Sequence, residues 1–319
     1  MRFFSVIIPV YNRPQEVLEL LETLVEQTYA HFEVLIIEDG STDGCETIVQ
    51  QFTEKLDIQY HFKDNSGQGF SRNFGFEKAK GDFLVVFDSD CLIPADYFEI
   101  VNAFLDEHPL DAYGGPDKAH TSFTTIQKAI SYSMTSPFTT GGIRGNKKHA
   151  GTFHPRSFNM GISRAVYEKT KGYIITRMGE DIEFSIRIIN AGFKTGLIPD
   201  AHVFHKRRTS LKQFYRQLHF FGRARINVNR FFPGELKAVH ALPAVFVLGL
   251  LGWALSPLIY LPLFALGGAL LGLFVLLIFI DALRQSNSLK VGLLSIITSF
   301  TQLIAYGIGM MTEATRKKP

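Results

Sequence analysis

The feature that most constrains this chain is a run of 43 residues without a charged side chain. No Asp, Glu, Lys or Arg occurs between Ala238 and Ile280. A helix rises about 1.5 Å per residue, so this run forms roughly 65 Å of helix and crosses a ~30 Å hydrocarbon layer about twice. Because Ser256 and Pro257 interrupt the run, it predicts a hydrophobic hairpin of two helices. Core helices of a soluble domain are the alternative, and the length of the run argues against them.

A second uncharged run extends from Val291 to Thr312 and predicts a third apolar helix. This run is less clearly lipid-facing than the hairpin, because it contains the polar residues Ser295, Thr298, Ser299, Thr301 and Gln302. We therefore expect two to three membrane helices, and the sequence leaves open whether the third one crosses. We expect a multi-pass protein of the cell inner (cytoplasmic) membrane, with its polar part in the cytosol.

Residues 1–235 have the composition of an ordinary soluble domain, with 27 basic and 28 acidic side chains. The whole chain is 46% hydrophobic, which excludes a disordered protein. It contains two cysteines, Cys45 and Cys91, too few for a disulfide-stabilised miniprotein. Two free thiols fit a reducing, cytosolic compartment.

Basic side chains are concentrated just before the hairpin. Residues 194–230 contain nine Lys or Arg and a single acid, Asp200. Each basic group near an anionic membrane surface contributes about 1 kcal/mol of binding. Nucleic acid is the competing partner for such a tract, but its position next to an apolar run favours membrane lipid. We therefore expect no nucleic-acid partner.

Apolar runs typical of buried parallel strands recur in the first third of the chain, over residues 4–10, 32–37, 58–62 and 83–87. Helical patterns lie between them, for example Val17, Leu21 and Leu24 after Pro14. This alternation predicts an α/β fold with a doubly wound sheet. In such sheets ligands bind beyond the carboxyl ends of the strands.

Two carboxylates, Asp88 and Asp90, follow the most apolar of these strands. Carboxylate oxygens suit Mg²⁺ or Mn²⁺ shared with a diphosphate. A D-x-D pattern alone is more often a polar turn, and its position after a predicted strand makes the metal site as well supported as the turn. His205 is a candidate third contact to metal or phosphate, although a lone histidine is more often structural.

The turn after the second strand contains Asp39, a candidate hydrogen-bond acceptor for a ribose hydroxyl or a base edge. Gly40 permits a tight turn there, and Asp43 fits the cap of the next helix. The glycine-containing turn over residues 64–69 opens another helix and precedes Arg72. Free N–H groups and a guanidinium at this place could meet phosphate.

Glu180 and Asp181 follow Gly179 at the start of a predicted helix over residues 180–190. Acids in the first turn complement the helix dipole, which is the simpler interpretation. The alternative is that Asp181 acts as a general base on an acceptor hydroxyl, a role that typically contributes about 10²- to 10⁴-fold to rate.

Five motifs taken together resemble the family 2 glycosyltransferases. They are SVIIPVYNR from Ser5, EDGSTD from Glu38, NSGQGFSRNFG from Asn65, GDFLVVFDSD from Gly81 and GED from Gly179. They follow the family order and cover about residues 1–230. The resemblance implies the GT-A nucleotide-sugar-binding fold, and transfer of a sugar from a nucleoside diphosphate with inversion at its anomeric carbon.

The resemblance also implies roles for individual residues. It places Pro9, Tyr11, Asn12, Arg13 and Asp39 in the nucleotide pocket, with Arg72 nearby, Asp88 and Asp90 on a Mg²⁺ or Mn²⁺ ion and the diphosphate, and Asp181 as catalytic base. Gln213–Gln217 resembles the Q-x-x-R-W tract of processive synthases. Because Gln217 stands where tryptophan is expected, this departure argues against processive synthesis.

We therefore expect three parts in this chain. Residues 1–110 form a nucleotide-sugar-binding α/β half, 111–235 an acceptor-binding and catalytic half with a basic juxtamembrane segment, and 236–319 the membrane region. Residues 111–160 are rich in Gly, Thr, Ser and Pro. This composition predicts a mobile loop, with 141–148 at its centre, that selects the acceptor.

The expected partners are a nucleoside-diphosphate sugar and a hydroxyl of a lipid-linked or envelope glycan. One alternative is a polyisoprenyl-phosphate glycosyltransferase, whose acceptor is a phosphate. The other is a non-catalytic membrane protein that binds nucleotide sugars.

Overall fold

The computed structural model describes residues 1–118, 120, 122–140 and 153–316. The chain divides into two compact units. The first comprises Met1–His120 and Lys147–Lys206, and the second Thr121–Asn146 and Arg207–Pro319.

Ten strands lie in the described part of the first unit. They are β1 (Phe4–Val10), β2 (Phe32–Asp39), β3 (Ile58–Lys63), β4 (Phe83–Phe87), β5 (Cys91–Leu92), β6 (Ala112–Gly114), β7 (Asp117–Lys118), β8 (Asn159–Ser163), β9 (Thr195–Leu197) and β10 (Val203–His205). Seven of them form one sheet in the order β3-β2-β1-β4-β8-β6-β9, and three form a small sheet in the order β5-β10-β7.

The α-helices alternate with these strands and then follow them. They are α1 (Pro14–Val25), α2 (Glu46–Val49), α3 (Gln68–Lys78), α4 (Tyr97–Glu107), α5 (Thr125–Thr135), α6 (Pro137–Thr140), α7 (Arg164–Thr170), α8 (Glu180–Asn190), α9 (Leu211–Phe231), α10 (Ala238–Leu255), α11 (Leu261–Ser286) and α12 (Leu289–Ala314).

The large sheet has a hydrophobic core on each face. Alternate side chains of β1 enter different cores, with Val6 and Ile8 on one side and Ile7 on the other. Strands β3, β2, β1 and β4 are parallel, and β8 pairs antiparallel with β4. The doubly wound α/β prediction is therefore confirmed, and the carboxyl ends of β1, β2 and β4 meet at one edge.

The four predicted strands and the helix over residues 180–190 are confirmed. The prediction of a loop over residues 111–160 was wrong for most of its described part. Helix α5 forms there because Thr124 and Gln127 make a reciprocal capping box, and because Ile130 and Met134 bury an apolar face. The central residues 141–148 of that predicted loop lie outside the described residues.

The prediction that Asp43 caps a helix was also wrong. Helix α2 begins after Cys45 and has no side-chain cap. The side chain of Asp43 is exposed, and its backbone N–H bonds to Asn12 instead.

The second unit contains three helices long and apolar enough to cross a membrane, among the described residues. Helices α10 and α11 form the predicted hairpin, joined by a 3-10 turn at Ser256–Leu258. Half of the most apolar stretch of α12 is buried, against 6% of the corresponding stretches of α10 and α11. The polar side chains at Ser295 and Ser299 lie on its buried face, which explains why this run looked less lipid-facing.

Candidate active site

Asn12 ties the loop after β1 to the loop after β2. Its backbone has a φ of 52°, in the left-handed region that non-glycine residues rarely adopt. Its Oδ1 accepts hydrogen bonds from the backbone N–H groups of Thr42 and Asp43, at 2.9 and 3.0 Å. Its own N–H donates to Ser41 Oγ at 2.7 Å. Asn12 therefore fixes the shape of the edge where a ligand would bind.

Pro9 and Tyr11 flank this turn. Pro9 lies within β1 opposite Ile37 of β2, so it is part of the sheet. The ring of Tyr11 is 53% exposed and lies open to a ligand.

Asp39 holds the turn that opens α3. Its Oδ1 accepts from Lys63 Nζ at 2.7 Å and from the N–H of Ser66 at 2.9 Å, and its Oδ2 accepts from the N–H of Gly67 at 2.8 Å. Burial opposes ionisation of this carboxyl, but the bonds from Lys63 and Ser66 outweigh it and the pKa of Asp39 falls below its usual value. Asp39 is thus an ionised, internally bonded carboxylate.

Asp88, Asp90 and His205 lie together beyond the end of β4. Strand β10 brings His205 beside β5, where His205 pairs with Cys91. The Nε2 of His205 is 3.0 Å from Asp90 Oδ1 and 4.0 Å from Asp88 Oδ2. Arg13 NH1 contacts the other oxygen of Asp90 at 2.5 Å. Residues from three separate parts of the sequence thus form one charged cluster.

This cluster fits a hard divalent cation. Two carboxylates and one imidazole nitrogen are a donor set that Mn²⁺ and Mg²⁺ accept. The side chain of Asp88 is one-third exposed, so its carboxylate can face a ligand. The Cys91 thiol lies within 4.8 Å of the donor atoms of Asp90 and His205. Burial raises the pKa of this thiol, and a protonated thiol is a poor metal ligand.

Arg72 connects this cluster to the start of α8. Its guanidinium is buried and lies 5.4 Å from the ring centre of Tyr173. One terminal nitrogen donates to Asp88 Oδ1 at 2.8 Å, and the other lies 3.5 Å from Glu180 Oε1. The same side chain therefore orients the proposed metal carboxylate and the residue that precedes Asp181.

Glu180, the residue that precedes Asp181, is buried. It accepts a short hydrogen bond from Gln68, at the beginning of α3. Burial first, and the neighbouring charge of Asp181 second, raise the pKa of Glu180. Glu180 points into the protein and thereby anchors the first turn of α8.

Asp181 forms an ion pair with Arg156, whose Nε is 2.6 Å from Asp181 Oδ2. The other carboxylate oxygen accepts from the N–H of Ile182 at 2.9 Å. One turn further along α8, Ser185 Oγ donates to the carbonyl of Pro155 at 2.6 Å and so fixes the segment that carries Arg156. The carboxylate is therefore oriented from both sides.

The structure brings the predicted Arg13, Asp88, Asp90 and His205 into one cluster and Arg72 between that cluster and Glu180. Sequence reasoning missed two partners, Lys63 and Arg156. Neither lies in a recognisable motif. Lys63 contacts Asp39, and Arg156 contacts Asp181, only because folding brings distant parts of the chain together.

Comparison with known proteins identifies the family of this chain. The model of glycosyl transferase family 2 matches residues 5–171, which is just over half of the chain. An uncharacterized glycosyltransferase of Rickettsia felis is 36% identical over 141 residues, covering 44% of this chain and 22% of that protein. The poly(ribitol-phosphate) beta-N-acetylglucosaminyltransferase TarS of Staphylococcus aureus is 37% identical over 115 residues, covering 35% and 20%. The chain thus spans about a fifth of the length of these relatives.

A Methanococcus voltae protein matches over 96% of both chains at 25% identity. It is a dolichyl N-acetyl-alpha-D-glucosaminyl phosphate 3-beta-D-2,3-diacetamido-2,3-dideoxy-beta-D-glucuronosyltransferase.

Solved structures share the fold. The mannosyltransferase PcManGT from Pyrobaculum calidifontis, in complex with GDP-Man and Mn²⁺, superposes with a TM-score of 0.67 at 18% identity. The alignment covers 94% of this chain and 87% of that one. Residues 1–349 of S. aureus TarS superpose with a TM-score of 0.51 at 20% identity, covering 97% and 90%. The first unit therefore has the GT-A nucleotide-sugar-binding fold.

Proposed function

The chain belongs to glycosyl transferase family 2 and is a glycosyltransferase, and from that premise we propose its donor, acceptor and mechanism. It transfers a sugar from a nucleoside-diphosphate sugar to a hydroxyl of a lipid-linked or envelope glycan, with inversion at the anomeric carbon. The reaction takes place at the cytosolic face of the membrane.

The observation that carries this proposal is the pair of contacts made by Arg72. The buried guanidinium donates a hydrogen bond to Asp88 and also lies close to Glu180. It therefore fixes the distance between the two parts of the site. One is a carboxylate cluster suited to a diphosphate, and the other is the acid at the start of α8. An inverting transfer needs a leaving-group site and a base on opposite sides of the sugar carbon.

Asp181 acts as the base in this proposal. It takes the proton from the acceptor hydroxyl while the hydroxyl oxygen attacks C1 of the sugar in line with the departing diphosphate. Arg156 holds the carboxylate in a fixed orientation before the acceptor arrives. No protein nucleophile is needed, because the displacement occurs in one step.

Asp88, Asp90 and His205 would hold a Mg²⁺ or Mn²⁺ ion, which would supply positive charge to stabilise a departing diphosphate. The Mn²⁺ that accompanies GDP-Man in PcManGT supports a divalent cation in this fold. Arg13 contacts Asp90 and is positioned to meet the same phosphates.

The nucleotide occupies the edge formed by the turns after β1 and β2. The exposed ring of Tyr11 offers a stacking surface beside Pro9, and Asn12 and Asp39 keep the two turns in place. Nucleotide sugars bound by relatives of the same fold, namely GDP-Man in PcManGT and UDP-GlcNAc in TarS, support this assignment. In this proposal residues 1–110 bind the donor, and residues 111–235 contribute the acceptor side and the base.

A lipid-linked acceptor is favoured by two observations. The Methanococcus voltae relative, named for a dolichyl-linked sugar phosphate, aligns over nearly the full length of this chain. The basic helix α9 also leads directly into the apolar hairpin, so an acceptor with a phosphate and a lipid tail would meet both. A bare polyisoprenyl phosphate is the second candidate acceptor, and it shares these two features.

A membrane protein that only binds nucleotide sugars is the third reading. The oriented Asp181 and the cluster of Asp88 with Asp90 argue against it, because a pure binder does not need a base held by Arg156.

Thermal unfolding of the detergent-purified full chain tests the donor site. We would measure its melting temperature with a panel of nucleoside diphosphates and nucleotide sugars, each with Mn²⁺, Mg²⁺ or EDTA. A ligand that binds the native state raises the midpoint by mass action. A shift with one nucleotide that disappears in EDTA is the expected result, whereas no shift with any nucleotide would refute the proposed donor site.

A further inference from the structure

The outer part of the α10–α11 hairpin contacts little besides itself. Leu258 and Ile259 at its tip are 84% and 86% exposed, among the most exposed apolar side chains of the described residues. Around Gly249 and Gly272 there is open space where a side chain would extend. Trp253 stacks on Phe264 at 5.1 Å and donates its Nε1–H to the Phe264 carbonyl at 3.0 Å. A tip of this kind is suited to hydrocarbon.

The base of the hairpin packs against α12. Phe300 of α12 contacts Phe246 of α10 and Phe274 of α11, with ring centres 5.7 and 6.0 Å apart. Gly307 lies against the Pro243 carbonyl, close to the start of α10. Helix α12 therefore crosses the hairpin near its two chain ends and leaves the tip uncovered.

The far end of α12 is bound to the basic helix α9. Glu313 Oε2 is 2.9 Å from Arg223 Nε, and Glu313 Oε1 is 2.7 Å from Arg230 NH1. Gly222 packs against the backbone of Tyr306, and Gly309 against the backbone of His219, with no room for a Cβ at either glycine. The last third of α12 thus packs directly beside the part of α9 that carries these arginines.

These contacts conflict with a third membrane crossing. If α10 enters the membrane and α11 returns, α12 starts on the side that carries α9. A crossing would then move Glu313 to the opposite side, away from Arg223 and Arg230. It could keep both ion pairs only if α9, with Lys212, Arg216 and further arginines, also entered the hydrocarbon, which is strongly unfavourable.

We propose that the α10–α11 hairpin alone is embedded in the lipid bilayer, and that α12 lies with α5 and α9 as a platform at the membrane surface. The end of α12 is then on the same side of the membrane as α9. The tip of the hairpin, including Trp253, is surrounded by lipid. This inference concerns membrane attachment and holds whichever acceptor the enzyme uses.

The platform also explains the polar residues of α12. Thr298 Oγ1 donates to the Ala129 carbonyl of α5 at 2.9 Å, and Ser295 and Ser299 are buried on the same face. Tyr132 of α5 donates to Asp281 Oδ2 of α11 at 2.7 Å, where α11 leaves its apolar run. Polar groups are thus directed toward neighbouring helices and the apolar tip toward lipid.

Cysteine labelling in sealed vesicles tests the topology. The two native cysteines are buried, so they give little background. We would introduce Glu54→Cys in the first unit and Thr315→Cys after α12, both at exposed positions, in one chain. The reconstituted full chain is then treated with a membrane-impermeant maleimide, and its intact mass is measured.

Counting labels per molecule removes the uncertainty of orientation in the vesicles. If both sites lie on one side, outward-facing molecules carry two labels and inward-facing molecules carry none. If α12 crosses, every molecule carries a single label. A population with one label each would overturn the proposal.

Trp253 gives a second, independent measurement, because it is the one tryptophan of the chain. Lipids brominated along their acyl chains should quench its fluorescence, and aqueous iodide should not. Quenching by iodide with no effect of brominated lipid would place the tip in water and overturn the proposal even if the labelling agreed.

Discussion

Arg156 Nε lies 2.6 Å from Asp181 Oδ2, so the carboxylate assigned as base is already held by an arginine from the segment before β8. The second oxygen of Asp181 is bonded to the N–H of Ile182. An acceptor hydroxyl must therefore approach a carboxylate whose direction is fixed. A base on a freely rotating side chain would have to be ordered during each turnover.

Asp181→Asn should abolish transfer and leave donor binding intact. The amide keeps the size of the side chain but cannot take a proton, so we expect turnover to fall by about 10²- to 10⁴-fold. Initial rates measure turnover, and the rise in melting temperature on adding nucleotide measures donor binding, both on the same preparation. Normal turnover in this variant would sink the assignment of the base.

Arg156→Ala should lower kcat with little change in donor affinity. Without the ion pair the Asp181 carboxylate loses its fixed direction, and misplacement of about 1 Å costs on the order of 10²-fold. Arg156→Lys should restore part of the rate, because it keeps a positive charge near Asp181. Arg177→Ala is the matched control, since Arg177 contacts Asn65 at 3.3 Å and not the carboxylate. Equal losses at both positions would contradict the positioning role.

Asp88→Ala combined with Asp90→Ala should remove the effect of the cation on diphosphate binding. The wild-type chain is expected to bind a nucleoside diphosphate more tightly with Mn²⁺ or Mg²⁺ than with EDTA. Calorimetric titration with and without the cation measures this difference. Unchanged affinities in the double variant under both conditions would rule out the metal assignment.

Asp39→Asn should destabilise the chain at neutral pH by about 2 kcal/mol, because it leaves Lys63 without its carboxylate. The pKa of Asp39 is lower in the folded state than in the unfolded state, so ionisation favours folding. This contribution is fully present above the unfolded pKa of about 3.9 and is lost as the pH falls through the lower folded value.

The difference in melting temperature between wild type and Asp39→Asn should therefore become smaller as the pH is lowered. Asp57→Asn, at an exposed acid, serves as the control and should leave the midpoint unchanged at every pH. A constant difference between wild type and Asp39→Asn from neutral pH to pH values below about 3.9 would contradict the linkage.

The sequence predicted the sheet well because strands and helices leave local patterns. Acidic residues directly follow the apolar runs of β2 and β4 in the sequence, so a local motif is enough to predict where these acids lie. The partners of those acids could not be found in this way. Lys63 reaches Asp39 and Arg156 reaches Asp181 through the pairing of strands and the docking of α8, and no local pattern records either contact.

Helix α5 shows a second limit. Its residues have the Thr and Ser content of a loop, and composition alone therefore suggested irregular structure. The helix is stabilised by the Thr124–Gln127 cap and by burial of Ile130 against residues of α9 and α12. Such packing against distant parts of the chain is not visible in a window of sequence.

Gly309→Leu should destabilise the chain much more than Gly249→Leu, although both place the same side chain inside an apolar helix. At Gly309 a Cβ would collide with the backbone of His219 in α9, and backbone cannot move aside as a side chain can. Overpacking of this kind typically costs about 1–3 kcal/mol. At Gly249 there is open space, and in the proposed arrangement a leucine there would face lipid. The melting temperatures of the two variants in detergent, compared with that of the wild type, measure the difference. Equal losses would mean that α12 does not rest on α9 through Gly309, and the surface platform would lose one of its main supports.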